Sequence, residues 1–225
     1  MALILNIDTA TEKASVCFSD QGRILAIAQN TDQKNHAAFL QPAIQSLVDE
    51  LKITLSELDA VAVTAGPGSY TGLRVGMASA KGICYALQKP LILVNTLEAM
   101  AQSMVAAAGP GMLLCPLIDA RRMEVFCAIY SHSLEAVEPA HALILEPNSF
   151  ADWLGKNTML FFGSGMPKLR NLLSHPSAHF SDNQHNAADL AVRAEAAWEE
   201  RRFADLAYAE PLYVKEFFDT KQSSK

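Results

Sequence analysis

The sequence predicts an α/β protein built from two similar lobes. Three observations lead there. The order three strands, helix, strand, helix is legible twice along the chain. A Gly109-Pro110-Gly111 break separates the two runs. The chain has 225 residues, half of them hydrophobic, which suits one large domain or two small ones around a sizeable core. The mixed order excludes a purely alternating parallel sheet. The expected division is an N-terminal lobe at 1–108 and a smaller, degenerate C-terminal lobe at 109–225. Whether Tyr213–Phe218 return to the first lobe stays open.

The first run begins with an apolar strand, Leu3 to Asp8, ending on Asp8-Thr9-Ala10-Thr11. Strands Ala14 to Phe18 and Ile24 to Gln29 follow around a turn at Asp20-Gln21-Gly22, giving a β-meander. A helix spans about His36 to Leu51, with Leu40, Ile44, Leu47, Val48 and Leu51 on one face. Pro42 falls inside it and is expected to bend it. Then come a strand at 60–64, a glycine-rich loop, a helix to about Leu87, the strand Leu91–Val94 and a helix from Thr96 to about Ala107. In the second run strands are predicted at Met112–Ile118, Glu124–Tyr130, Ala142–Leu145 and Thr158–Phe162. A short helix at Asn148–Leu154 precedes the last strand, and Gly163-Ser164-Gly165 leads into another helix. Ser174–Asn186 is polar, with Pro176 and three histidines, and reads as loop; Ala187 to about Phe203 reads as helix. The tail Lys221–Lys225 is expected to be disordered.

With 24 acids against 18 bases, net charge is −6 and no basic block stands out. The chain alone is therefore a poor candidate for gripping nucleic acid, though not for a nucleic acid held by a partner. Cys17, Cys84, Cys115 and Cys127 are far apart and form no C-x-x-C, as expected of reduced core thiols in a cytoplasmic protein. The uncharged run Ala99 to Ile118 is broken by Gly109-Pro110-Gly111 and Pro116, so it predicts helix, turn and strand rather than a membrane span.

The stretch "GPGSYTGLRVG" at 66–76 invites a phosphate-binding reading. It fails the Walker spacing, because Gly66 and Gly72 are one residue too far apart and Leu73 and Arg74 stand where Lys and Ser/Thr belong. It fails the dinucleotide fingerprint, because Thr71 replaces the third glycine. The loop is expected to be a tight strand-to-helix turn, with Ser69 or Thr71 as helix N-cap. Gly72, Gly76 and Ala80 recur every four residues and form a stripe of small side chains. Such a stripe admits another backbone closely, either within this chain or in a second one.

Five segments then carry a family resemblance. They are "LNIDTATEKASV" at 5–16, "NHAAFLQPAIQSLV" at 35–48, "VTAGPGSYTGLRVGMASAKGICYAL" at 63–87, "LIDARRMEVFCAIY" at 117–130 and "FFGSG" at 161–165. They resemble the TsaB (YeaZ) family, accessory proteins of tRNA threonylcarbamoyladenosine synthesis. The resemblance implies a two-lobed actin-like ATPase and sugar-kinase fold with ribonuclease-H-like lobes. It implies a non-catalytic relative of the transferase subunit TsaD, paired with TsaD as a heterodimer through helices 36–51 and 72–87. The ATPase TsaE would join them, tRNA would be met through the complex, and alone the chain could form a homodimer. The expected partner-facing residues are His36, Phe39, Leu40, Ala43, Gly72, Arg74, Gly76 and Ala80. Gly76→Leu or Ala80→Trp is accordingly expected to abolish pairing while leaving the protein folded.

The chemistry of single residues fits that picture. TsaD-like proteins carry two helical histidines at i, i+4; here Leu40 stands four residues after His36, so no metal is expected and a metallopeptidase is disfavoured. In enzymes of this fold Asp8 would lie near nucleotide phosphates, but Thr9-Ala10-Thr11 lacks the glycine that lets phosphate approach. Asp8, Thr9, Thr11, Gly163 and Gly165 remain candidates for weak ATP or ADP binding in the complex, with no cofactor held tightly. A weak ATPase or small-molecule kinase in the interlobe cleft is the alternative function. Asp8 otherwise caps its own turn. Asp119, crowded by Arg121 and Arg122, is expected to form a structural ion pair. No G-x-S-x-G occurs, Ser69 on the glycine-rich loop has no histidine or acid near it in sequence, and no catalytic residue is assigned.

Overall fold

The computed structural model describes residues 2–30 and 35–214. The tail Lys221–Lys225, expected to be disordered, and residues 215–218 lie outside them. Two five-stranded mixed sheets form the frame. The first contains β1 (Leu3–Asp8), β2 (Ala14–Asp20), β3 (Arg23–Asn30), β4 (Ala60–Gly66) and β5 (Leu91–Asn95) in the order β3-β2-β1-β4-β5. The second contains β6 (Leu113–Asp119), β7 (Glu124–Tyr130), β8 (Ala136–Ile144), β9 (Met159–Phe162) and β10 (Ala178–Ser181) in the order β10-β9-β6-β7-β8. The two orders are the same topology read from opposite edges. In each, the first three strands pair antiparallel and the later two add in parallel beside the first.

The sequence explains why both faces of the first sheet are covered. β1 is buried along nearly its whole length rather than on alternate residues. Leu5 and Ile7 pack with α1 (His36–Leu51) and α2 (Tyr70–Leu87), through Leu40, Ile44, Leu47, Met77 and Ala80. Ile4 on the opposite face meets Leu190, Ala194 and Ala197 of α6 (Ala187–Glu199). Helix α1 runs unbroken through Pro42. The second sheet packs one face on α4 (Ala151–Leu154) and α5 (Met166–Arg170), using Phe150, Leu154, Met166 and Leu169. Its other face rests on α3 (Thr96–Gln102), whose Leu97 and Met100 join Leu114, Ile118 and Phe162. Helix α3 also carries Ala99 into the α6 cluster, so it bridges the two lobes.

Residues from Ala187 onward lie against the first lobe, although they follow the second in sequence. Arg193 of α6 pairs with Glu98 of α3 at 2.5 Å. Beyond α6 the chain crosses the first sheet's edge: Ala204 bridges Leu91, and Leu206 and Ala209 pack into the α1–α2 core. Lys81 Nζ donates to the Ala209 carbonyl at 2.8 Å, and Leu212 N donates to the Ala65 carbonyl at 2.6 Å. This corrects the expected division at Gly109 for residues 187–214. Three boundaries also differ. The polar stretch 174–186 contains β10, and β8 starts at Ala136, six residues before the expected Ala142. Helix α6 stops at Glu199, where Arg201 turns left-handed at φ 54.

Candidate functional site

Asp8 ends β1 beside the two parallel strands, and it is 1% exposed. Three groups hold its carboxylate. Ala10 N donates to Oδ1 at 3.1 Å, closing the Asx turn expected from the sequence. Thr64 Oγ1, on β4, donates to the same oxygen at 2.9 Å. His185 Nε2 lies 2.9 Å from Oδ2 and is itself buried. Burial pushes the Asp8 carboxyl up, but the imidazole charge and these donors win and hold it below its usual value. Burial likewise pulls His185 down, and the adjacent carboxylate more than reverses it. The two form a buried ion pair between β1 and the residue just before the N-cap of α6.

The position of His185 follows from how α6 is anchored. Asn186 is its N-cap, accepting from Ala188 N at 2.8 Å, and Asp189 Oδ2 accepts back from Asn186 N at 2.9 Å. Ala187 N donates to Ser15 Oγ of β2 at 2.8 Å. Burial raises the Asp189 carboxyl despite the Asn186 amide and His185 nearby. Sequence reading placed His185 in a loop and missed its partner. One of three histidines in a polar stretch gives no signal for an acid 177 positions away.

Thr9 and the glycines of the loop at 66–76 serve internal packing. Thr9 is fully buried and its hydroxyl donates to the Gly72 carbonyl at 2.7 Å. A Cβ on Gly72 would run into the Thr9 carbonyl oxygen, and one on Gly76 into Thr9 Oγ1. Ser69 caps α2 through Gly72 N at 3.3 Å, as expected. The small-residue stripe therefore admits this chain's own β1 turn. Thr11 lies half-buried in that turn.

The second lobe repeats the arrangement with different residues. Asp119 ends β6 as Asp8 ends β1. Lys168 Nζ of α5 donates to Asp119 Oδ1 at 2.6 Å, and Arg121 N donates to the same oxygen at 2.6 Å. The expected ion pair exists, but its cation is Lys168 and not Arg121 or Arg122. Asp119 N donates to Ser164 Oγ at 3.0 Å, and Gly165 N to the Leu117 carbonyl at 2.9 Å. A Cβ on Gly163 would strike the Leu117 carbonyl oxygen and the Met100 methyl, and one on Gly165 the Val125 side chain. These glycines are used where β9 turns tightly against β6. Among the described residues no three His, Cys, Asp or Glu side chains converge as a metal site would require.

The expected partner-facing residues separate into two groups. His36, Leu40, Ala43, Gly72, Gly76 and Ala80 are buried within the chain. The periodicity that makes this stripe of small or apolar residues turns it toward this chain's own core. Phe39 is half-buried. Arg74 alone is exposed, stacked over the Tyr70 ring at 4.0 Å with Nε donating to Tyr213 Oη at 3.2 Å. The outward face of α2 is instead Thr71, Arg74, Ala78, Gly82 and Tyr85.

Residues 23–209 match the family model described as "TsaD: tRNA N6-adenosine threonylcarbamoyltransferase". The chain belongs to this family. Within it the likeness is to TsaB/YeaZ. The chain is 32% identical to the tRNA threonylcarbamoyladenosine biosynthesis protein TsaB of Bacillus subtilis, over 67% of this chain and 64% of that one. It is 36% identical to TsaB of Escherichia coli over 56% of this chain and 54% of that one. The matched region thus spans less than two thirds of either relative. The solved structure of YeaZ from Pseudomonas aeruginosa superposes with a TM-score of 0.82 at 29% identity, covering 95% of this chain and all of that one. At 7% identity and a TM-score of 0.53, an activator of a 2-hydroxyisocaproyl-CoA dehydratase from Clostridium difficile shares the two-lobed actin-like architecture alone. No helix among the described residues of this TsaB/YeaZ-type chain is long and apolar enough to cross a membrane.

Proposed function

We propose that the chain is a non-catalytic subunit of the machinery that places threonylcarbamoyladenosine next to the anticodon of tRNA, where it scaffolds a TsaD-type transferase. The names of its TsaB relatives supply the pathway. One observation carries the silent role: in each lobe, the carboxylate at the end of the first strand is already neutralised by a cation of the chain itself. Asp8 faces His185 at 2.9 Å and Asp119 faces Lys168 at 2.6 Å. A nucleotide-using enzyme of this fold needs those ends of the cleft open to phosphate and its cation. Here Asp8 is buried against His185, Asp119 is exposed but held by Lys168, and Thr9 is consumed by the Gly72 carbonyl.

Pairing with the transferase is assigned to the outward faces of α1 and α2. Ala37, Ala38, Gln41 and Gln45 on α1 and Thr71, Ala78 and Gly82 on α2 are exposed, small or polar. Arg74 and Tyr85, at the two ends of α2's face, are of the residue types that anchor interfaces. Tyr85 is 81% exposed. Gln41 Nε2 donates to Ser79 Oγ at 3.1 Å and ties the two helices into one surface. A second copy of the chain could meet the same face with two-fold symmetry.

An omission assay tests this reading. Unmodified tRNA, threonylcarbamoyl-adenylate, ATP, the transferase and TsaE are combined with and without this chain, and modified adenosine is measured. Product is expected when both transferase and chain are present and not from the chain alone. Product formed without the chain, or by it alone, refutes the role. Gly82 has open space where a Cβ would stand. Gly82→Arg is therefore expected to keep the fold and to lower transferase affinity at least tenfold; unchanged affinity by calorimetry places the interface elsewhere.

A further inference from the structure

The turn between β6 and β7 is built on two consecutive arginines in left-handed backbone. Arg121 has φ 70 and Arg122 φ 47. Glycine or asparagine takes that conformation readily, whereas a long side chain takes it at a cost in energy. Strain of this sort persists where the surroundings fix it, and it gathers at places that do something. The surroundings here do fix it. Ala120 N donates to the Glu124 carbonyl at 3.1 Å, Glu124 N to the Arg121 carbonyl at 3.1 Å, and Leu145 N to the Met123 carbonyl at 2.7 Å.

The sequence offers an obvious partner for these guanidinium groups, Asp119, and the structure does not use it. Lys168 neutralises Asp119 instead. Both arginines are exposed, and neither side chain pairs with an acid among the described residues. Met123 beside them is 43% exposed. The result is a stiff cationic tip on a chain whose net charge is −6.

We propose that Arg121 and Arg122 contact the phosphodiester backbone of the RNA held by the assembled complex. This rests on the reading that the chain works in tRNA modification. A guanidinium matches a phosphate bidentately. Two of them on a fixed turn position RNA, and do not read its sequence. The surrounding negative charge explains why such a tip acts only once a partner brings RNA to it. Lys168 has a supporting part, since it cancels the carboxylate that would otherwise repel phosphate next to the turn.

The test is tRNA binding by the reconstituted complex over a salt series, with transferase binding measured in parallel. Arg121→Ala with Arg122→Ala is expected to weaken tRNA binding about tenfold and to lower the slope of log affinity against log salt by about 2, one for each lost phosphate contact. Transferase affinity should not change. Arg122→Gly relieves the strained backbone, so it should raise the melting temperature while still weakening tRNA binding. Unchanged tRNA affinity and slope, in a complex that still needs this chain to modify tRNA, overturns the proposal. So does loss of transferase affinity in the arginine variants, which would make the tip a protein-docking site. Modification that proceeds without this chain refutes the functional role instead, a result distinguishable from either.

Discussion

Removing the His185 imidazole exposes how much of the fold depends on the Asp8 pair. In His185→Ala the Asp8 carboxylate stays buried, with Ala10 N and Thr64 Oγ1 still donating but its counter-charge gone. Breaking a buried pair from one side costs about 3–5 kcal/mol, and the two surviving donors favour the lower end. With a urea slope of about 3 kcal/mol/M, that is a midpoint lower by about 1 M. The pH dependence makes the argument specific. His185 has its pKa raised on folding, so its contribution is complete below its unfolded value of 6.5 and is lost as pH rises through the folded one. Asp8 has its pKa lowered, so its contribution is complete above 3.8 and is lost as pH falls through the folded value. The pair therefore stabilises most between those two ordinary values, and His185→Ala should lose most there. Asp189 and Cys17 also face this cluster, but the Cys17 thiol, pushed up to about 12, does not titrate in that range. Urea unfolding at pH 5 and pH 8 measures the difference. A midpoint shift under about 0.3 M at pH 5, or equal shifts at both pH values, would refute the ion-pair reasoning.

Two further outcomes follow from packing. Gly76→Leu should damage the fold and not merely the partner interface, because its first side-chain atom meets Thr9 Oγ1. A cost of about 3 kcal/mol is expected from overpacking, read as a lower urea midpoint, and a stable variant that fails only to pair would restore an outward role for the stripe. The four thiols are all buried, with Cys84 raised to about 11 and Cys17 and Cys127 to about 12. Native protein should leave them unlabelled by a thiol reagent at pH 8 over minutes, and all four should react in guanidinium; fast native labelling would contradict the burial.

The frame of the molecule was legible because its main elements alternate clearly between apolar runs and helical periodicity. Helix α1 has the bounds expected, His36 to Leu51, and β7 those expected, Glu124 to Tyr130. The misses are edge elements. β8 carries Pro139 and polar residues, which a strand tolerates at the sheet edge, where it lies. β10 is four residues in a polar stretch and is recognised only by its pairing with β9. The return of residues 187–214 to the first lobe was equally hidden, since α6 shows an apolar face but no sign of which sheet it will cover. The site was half legible. Asp8 and its turn could be located from the end of β1, whereas His185 and Lys168 could not, because ion pairing across long separations leaves no periodic trace. The stripe at Gly72, Gly76 and Ala80 was seen correctly as a place of close approach. Its direction stays open in the sequence, because small residues admit a neighbouring backbone from the same chain as readily as from another.

The two lobes share one strand order yet neutralise their equivalent acids differently, and that difference bears on what the cleft can do. Had the chain merely lost a catalytic group, the carboxylates at the ends of β1 and β6 would stand open to solvent and cations. Instead Asp8 is buried against a histidine delivered from beyond the second lobe, and Asp119, though exposed, is paired with a lysine from within it. The first closure is buried and joins β1 to the start of α6, so it does structural work: it fixes the return of the chain to the first lobe. The second is partly exposed and contributes little stability, about 0–1 kcal/mol. Its consequence is local charge, since Lys168 and not Arg121 or Arg122 takes up the Asp119 carboxylate. One acid buried for stability and one paired near the surface agree with the proposed role, in which contacts lie on the α1–α2 face and at the β6–β7 tip.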